Sequence, residues 1–309
     1  MVRHMITALL LGMTPAWAQV GGEVIVIGIR AEARPFAWYE AQTRTFRGYL
    51  TDLCYEAVRH ANYLPRGVPI TAKQRDAFLA GDPTGNTPVP DIDLLCDPTT
   101  ISMGRITTFL EREETRNFRF SPIVFLANGT LSMRSDVDRE SMEDRDVDLT
   151  GWTCTDPETE GAATLLAGFV VGTTAEDEVR VLRRNPARIL EEPDQPDRIC
   201  SFEFENHAEG ISKLCNGEID VYFGDSDIVD AYAALHPDCK PVPKLKSVSY
   251  EPYALVVTDR TEGFYDHFVK GLYASFGNSV KAQNRVLTYF PDQQISEYLE
   301  TLYRIYQIP

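Results

Sequence analysis

The chain has 309 residues, 43% of them apolar and 25% charged, so it holds enough apolar side chain for a packed core and is not disordered throughout. With 46 acidic against 30 basic residues the formal charge is −16, which excludes the basic footprint of a nucleic-acid binder and disfavours anionic membranes. The length fits one large or two medium domains.

Arg3, the apolar run from Met5 to Met13 and the small-x-small triplet Ala16-Trp17-Ala18 read as a cleaved secretory signal over residues 1–18. The run is too short for a permanent span. Gln19, not Cys, follows the cut, so a soluble chain outside the cytoplasm, without lipid anchor or membrane insertion, is expected. The β-branched run Glu23 to Ile29 predicts a buried strand. Leu50, Leu53, Cys54, Ala57, Val58 and Ala61 recur at helical spacing. Asp91 to Cys96, Phe169 to Val171 and Ile219 to Phe223 predict three more strands, each followed by a polar loop. That alternation predicts α/β units around parallel sheets. Composition marks loops at 81–90, 153–161 and 191–197, the first two as insertions. From Glu262 the spacing turns helical, through Phe264, Phe268, Leu272, Phe276, Leu299, Leu302 and Ile305. The six cysteines of this exported chain suggest disulfides, with 15 pairings open; no C-x-x-C occurs, so zinc-ribbon and thioredoxin readings lack support.

Three loops at predicted strand ends carry groups suited to a small ligand. In Pro98 to Arg105, Thr100 and Arg105 stand five residues apart and can close on one carboxylate, the arginine as a bidentate fork. The same residues also serve as a helix cap and a surface arginine. In Gly172-Thr173-Thr174-Ala175-Glu176 a strand turns into a helix. Thr173 and Glu176 fit a capping box, and the free N–H groups at the helix start can still receive a carboxylate. In Phe223-Gly224-Asp225-Ser226-Asp227, Asp225 lies where open α/β sheets bind ligands and can pair with an ammonium or cap the next helix. Donors for a carboxylate and one carboxylate for an ammonium describe an α-amino acid.

The ordered set RPFAWYE, RGYLTDLC, DLLCDPTTISMGR, FRFSPIVF, VVGTTAEDEV, NGEIDVYFGDSD and YEPYALVV resembles the polar amino-acid family of extracytoplasmic solute-binding proteins, over nearly the whole mature chain. The resemblance implies an α/β, two-lobed type II periplasmic binding protein fold with two hinge crossings. Lobe 1 would comprise 19–125 plus 253–309, and lobe 2 would comprise 126–252. It implies a monomer that closes on an amino acid and delivers it to the permease of an ABC importer, without enzymatic activity. Thr100 and Arg105, helped by the backbone or side chain near Pro98, would hold the α-carboxylate. Thr173 or Thr174 would add a donor, and Asp225 would take the α-ammonium. Glutamate/aspartate-binding proteins are the nearest likeness. Arg30 stands five residues before Pro35-Phe36, and His207 stands 18 before Asp225. These two would read a side-chain carboxylate, with the histidine protonated. Met103-Gly104 before the arginine and the two insertions depart from the pattern. The likeness also implies a Cys54–Cys96 disulfide; for the remaining four, Cys154–Cys200 with Cys215–Cys239 is the pairing adopted.

Two rivals stand beside this reading. Phe223 to Ser226 resembles the nucleophile block of GDSL esterases, but no histidine carries an Asp three residues before it and no G-x-S-x-G occurs. The other rival keeps the fold and changes the task, to a cyclohexadienyl (arogenate/prephenate) dehydratase or a sensor subunit. No H-E-x-x-H and no G-x-G-x-x-G occurs, so neither metal nor cofactor is expected.

Overall fold

The structure, a computed structural model, describes residues 22–81, 87–143, 147–155, 162–185, 195–236, 239, 249–277, 279–290 and 297–306. The signal segment expected at 1–18 and much of the loops expected at 81–90, 153–161 and 191–197 lie outside them.

The first lobe opens with β1 (Val24–Arg30) and a small antiparallel sheet of β2 (Glu32–Ala33), β3 (Ala37–Glu40) and β4 (Thr45–Arg47). α1 (Tyr49–His60), β5 (Leu64–Ile70), α2 (Ala72–Ala80), β6 (Leu94–Thr100), α3 (Met103–Glu111) and β7 (Arg119–Phe120) follow. The long strand β8 (Phe125–Met133) crosses to the second lobe. There lie α4 (Arg139–Met142), β9 (Thr153–Cys154), β10 (Thr164–Val170), α5 (Ala175–Arg184), β11 (Arg198–Phe204), α6 (His207–Cys215), β12 (Val221–Asp225) and α7 (Ser226–Ala233). β13 (Ser249–Val257) returns to α8 (Phe264–Gly277), α9 (Ser279–Tyr289) and α10 (Glu297–Tyr306).

The strands join in the order β5-β1-β6-β13-β8-β12-β10-β11-β9. β1 is parallel to β5 and β6, and β10 is parallel to β11 and β12. Each lobe therefore has its own parallel centre, as the alternating pattern predicts. The antiparallel pair β8 and β13 connects them, with Phe125 opposite Tyr253 and Gly129 opposite Ser249. The predicted helix at Leu50 is α1, whose apolar stripe is buried. The tail is helical as expected.

Two predicted strands begin later than the sequence suggested, for one reason. Asp93 uses its backbone and its carboxylate on Val26, donating N–H to the Val26 carbonyl and accepting the Val26 N–H at 2.8 Å. Asp220 does the same to Leu166 in the other lobe. The strands start beyond these aspartates, at Leu94 and Val221. The first also runs on through Pro98 and Thr99 to Thr100, which the sequence reading placed in a loop. The capping box expected at Thr173 and Glu176 does not form. The Thr173 hydroxyl donates to the Val170 carbonyl at 2.7 Å, Thr174 is the cap residue without a side-chain bond, and Glu176 pairs with Arg180.

The three expected disulfides, Cys54–Cys96, Cys154–Cys200 and Cys215–Cys239, are all formed. The first ties α1 to β6, directly behind the strand end that carries Thr100. It closes a loop of sequence separation 42, and removing it by Cys54→Ala with Cys96→Ala is expected to lower stability by roughly 3–4 kcal/mol. Urea unfolding of the oxidised double variant measures this; an unchanged midpoint would show that α1 is held by packing alone.

Candidate functional site

The cleft between the lobes is built from strand ends and helix starts. From the first lobe come Arg30 at the end of β1, Asp97 to Thr100 on β6, Arg105 on α3 and Arg75 on α2. From the second come Thr173 and Thr174 after β10, His207 at the start of α6 and Asp225 at the end of β12. The crossing strand β13 adds Ser249, Glu251 and Tyr253.

Arg75 was missed by the sequence reading. Ala72, Arg75 and Leu79 are the buried residues of α2, so a guanidinium replaces an apolar side chain on its inner face. Arg75 is 3% exposed and its carboxylate partner Asp97 is fully buried. One Arg75 nitrogen donates to Asp97 at 3.3 Å, and the other donates to the Gly172 carbonyl of the opposite lobe at 2.5 Å. Arg30, 2% exposed, faces the second oxygen of Asp97 at 3.8 Å. Two buried guanidiniums thus share one carboxylate. Among the described residues the Nε groups of both arginines have no hydrogen-bond partner.

The structure brings Arg105 and Thr100 together, through the backbone. Arg105 donates to the Thr100 carbonyl at 2.8 Å and, more weakly, to the Gly172 carbonyl at 3.4 Å. Burial and Arg75 lower the Arg105 pKa to about 10, which leaves it a cation at neutral pH. Pro98 is buried. Gly172 is the meeting point of the lobes. Its φ of +68 suits glycine, and a Cβ there would sit 2.8 Å from Asp76 of α2. A Lys73–Glu205 pair at 2.5 Å bridges the lobes at the exposed rim.

Thr173, Thr174, His207 and Asp225 line one pocket with Glu251 and Ser249. Asp225 is the cap residue of α7, but its side chain does not cap. It accepts a hydrogen bond from the Tyr253 hydroxyl instead. Burial first, then the neighbouring Glu251, raises its pKa to about 7. The expectation of a protonated His207 needs correction. The ring is buried, exchanges a 2.9 Å hydrogen bond with the Tyr222 hydroxyl, and lies within the field of Arg30 and Arg75. Burial and those two cations hold its pKa well below 6.5, so it is neutral. Ser226, the nucleophile of the esterase rival, is the first residue of α7.

No protein-family model and no curated protein matches the sequence. Solved structures do match it. The arginine-, lysine-, histidine-binding protein ArtJ from the thermophilic bacterium Geobacillus stearothermophilus superposes with a TM-score of 0.61 at 18% identity, over 90% of this chain and 100% of that one. A substrate-binding protein of an ABC uptake transporter from Streptococcus pneumoniae, with bound histidine, gives 0.60 at 14% identity over 87% and 93%. An ancestral amino acid-binding protein, described as a precursor of cyclohexadienyl dehydratase, gives 0.59 at 17% identity over 86% and 98%. The chain has the mixed α/β, two-lobed fold of type II periplasmic binding proteins. Among the described residues no helix is long and apolar enough to cross a membrane.

The Asp225 carboxyl gives a test of the site's electrostatics. Its folded pKa of about 7 lies above the ordinary 3.8, so the fold disfavours the ionised form. The destabilisation is absent below pH 4, grows as pH rises from about 4 to 7, and is complete above 7. Asp225→Asn is therefore expected to stabilise the protein at pH 8, by up to roughly 4 kcal/mol, and to change little at pH 4. Thermal unfolding of both proteins at the two pH values checks this; an equal effect at both would remove the ionisation from the explanation.

Proposed function

We propose that the protein binds a small acidic amino acid, glutamate or aspartate, between its lobes and delivers it to the permease of an ABC importer outside the cytoplasm. The observation that carries this reading is the separation of charge across the cleft. Arg30, Arg75 and Arg105 stand on the first lobe around the buried Asp97, with Glu32 and Asp76 also in their field, while Asp225 and Glu251 line the pocket beside the second-lobe residues Thr173, Thr174 and His207. A zwitterion satisfies both walls at once.

The α-carboxylate goes to Arg105. Its guanidinium now holds two neutral carbonyls, and a carboxylate is the stronger acceptor. Thr173 and Thr174 add donors from the other lobe, and Asp225 takes the ammonium. A cation beside Asp225 restores its ionised form, because the attraction opposes the burial that raises its pKa. The side chain is read by Arg30 and Arg75. Two guanidiniums against one carboxylate leave one positive charge, which a side-chain carboxylate neutralises, with the neutral His207 as a further hydrogen-bonding group. A cationic side chain of the kind ArtJ binds would meet both arginines and be repelled. Contacts to both lobes make closure depend on the ligand, since a ligand shifts a conformational equilibrium only by its difference in affinity for the two states.

A second reading is enzymatic, and Asp225 is the observation that favours it. A cleft carboxyl with a pKa of about 7 suits general acid–base work on arogenate or prephenate, and one structural neighbour is described as a dehydratase precursor.

A thermal-shift panel of amino acids, dicarboxylates, arogenate and prephenate separates the readings. Glutamate or aspartate at about 1,000 times its dissociation constant is expected to stabilise the fold by roughly 4 kcal/mol. Arg105→Ala is expected to remove about 3 kcal/mol or more of that affinity, and Arg75→Met to erase the preference for glutamate over glutamine. A shift with arginine or lysine alone would discard the acidic side chain and keep the cleft. Turnover of arogenate or prephenate, without a shift from any amino acid, would favour the enzyme.

A further inference from the structure

The crossing strand carries a second carboxylate that the ammonium site does not yet account for. Glu251 is 4% exposed and lines the same pocket as Asp225. Its Oε1 accepts a hydrogen bond from the Ser249 hydroxyl at 2.6 Å, and its Oε2 is buried without a hydrogen-bond partner among the described residues. A buried carboxylate oxygen with no donor is costly. Nothing in the described residues repays that cost, so the oxygen marks a place where a donor from outside belongs.

The sheet is shaped to leave that place open. Asp225 and Ser249 lie on either side of Gly129, each in register with it on its own strand. A Cβ on Gly129 would stand 2.1 Å from the Ser249 oxygen and 3.5 Å from Glu251 Oε1. Only glycine leaves room for the serine hydroxyl and for the pocket between the two carboxylates. Ser249, Glu251 and Tyr253 alternate along β13 onto one face. Ser249 then orients Glu251, and Tyr253 orients Asp225. Each acid has its own hydroxyl donor, which fixes the pair across a gap.

We infer that Glu251 is a ligand-binding residue, and that together with Asp225 it forms a two-carboxylate receptor for the primary ammonium of the ligand. This rests on the amino-acid reading of the cleft. An ammonium has three N–H donors; Asp225 accepts one and Glu251 Oε2 accepts another. The ligand class is an amine with at least two free N–H bonds directed at the acids. A ligand of the same shape lacking the amine leaves two neighbouring carboxylates facing each other and is rejected. Glu251 sits on a hinge strand, opposite Ala127 and two residues along from the Gly129 position that faces Asp225.

The test compares each amino acid with its deamino counterpart by isothermal titration, using glutamate against glutarate and glutamine against glutaramate. The native protein, Glu251→Gln and Gly129→Ala are measured. Glu251→Gln is expected to weaken the better-bound amino acid by about tenfold, as for a lost charge-assisted bond, and to leave its deamino partner unchanged or tighter. Gly129→Ala is expected to lower the same ratio by displacing Ser249. A Glu251→Gln protein that keeps the native ratio overturns the assignment of Glu251 alone. Equal loss of amino acid and deamino acid, with an unaltered melting curve, also overturns it and makes Glu251 structural. A native protein that separates neither pair overturns the ammonium site itself, and the amino-acid reading with it.

Discussion

A guanidinium removed from water needs acceptors in place of the water it loses, and the two terminal nitrogens of Arg75 find theirs where the two lobes meet. Asp97 is supplied by its own lobe and the Gly172 carbonyl by the other. The bond to Gly172 is therefore both a contact of the site and a contact of closure. It requires α2 to lie against the turn after β10, which in turn requires a residue without a side chain at that turn. Replacing a buried charged partner is far more damaging than replacing an exposed one, because the remaining charge stays desolvated. The arrangement ties α2, β6 and the β10 turn to one another through a single side chain.

The second constraint is the crossing of β8 and β13. Both strands continue into the parallel centre of a lobe, so the pair is at once a hinge and part of the sheet. Its interior side carries Ser249, Glu251 and Tyr253 rather than the apolar residues expected of a strand buried on both faces. Such a strand departs from the usual pattern at a functional cost that packing elsewhere must offset. The aromatic cluster of Phe36, Tyr49, Phe125, Tyr253 and Phe290, in edge and stacked contacts, anchors the first-lobe end of both strands. Tyr253 is shared by the two systems: its ring packs into that cluster and its hydroxyl holds Asp225. Core and site are thereby coupled through one side chain.

Much of this was legible in the sequence, and what was not has physical causes. The β-branched run of β1 and the apolar stripe of α1 are periodic signals that local chemistry fixes. The late starts at Leu94 and Val221 are not local: they follow from Asp93 and Asp220 bonding to backbone 67 and 54 residues away. Thr173 has the spacing of a capping box, but the carbonyl of Val170 offers its hydroxyl a nearer partner. The neutral His207 could not be read from its neighbours in sequence, because Arg30 and Arg75 reach it from the other lobe. Arg75 and Glu251 did leave a trace. Arg75 shares the inner helix face of Ala72 and Leu79, and Glu251 stands at an inward position in the alternation of β13. A charge where the period demands an apolar residue is a functional signal when the fold is otherwise consistent.

The two charged ends of the cleft are not independent. Arg75 lowers the pKa of Asp225 and of Arg105, while Glu251 raises both. Each wall thus feels the other across the cleft through a medium that screens less than water. In the proposed function a ligand carboxylate at Arg75 would reduce the help that this cation gives to an ionised Asp225, and a ligand ammonium at Asp225 would reduce the repulsion from Glu251. A zwitterion would do both at once, so its two ends would bind with a cooperation that neither a lone acid nor a lone amine can obtain. The proposed selectivity for an amino acid over either half of it would then be a property of the spacing between the walls. That spacing is set where Gly172 lets α2 approach and where Gly129 lets the crossing strands close.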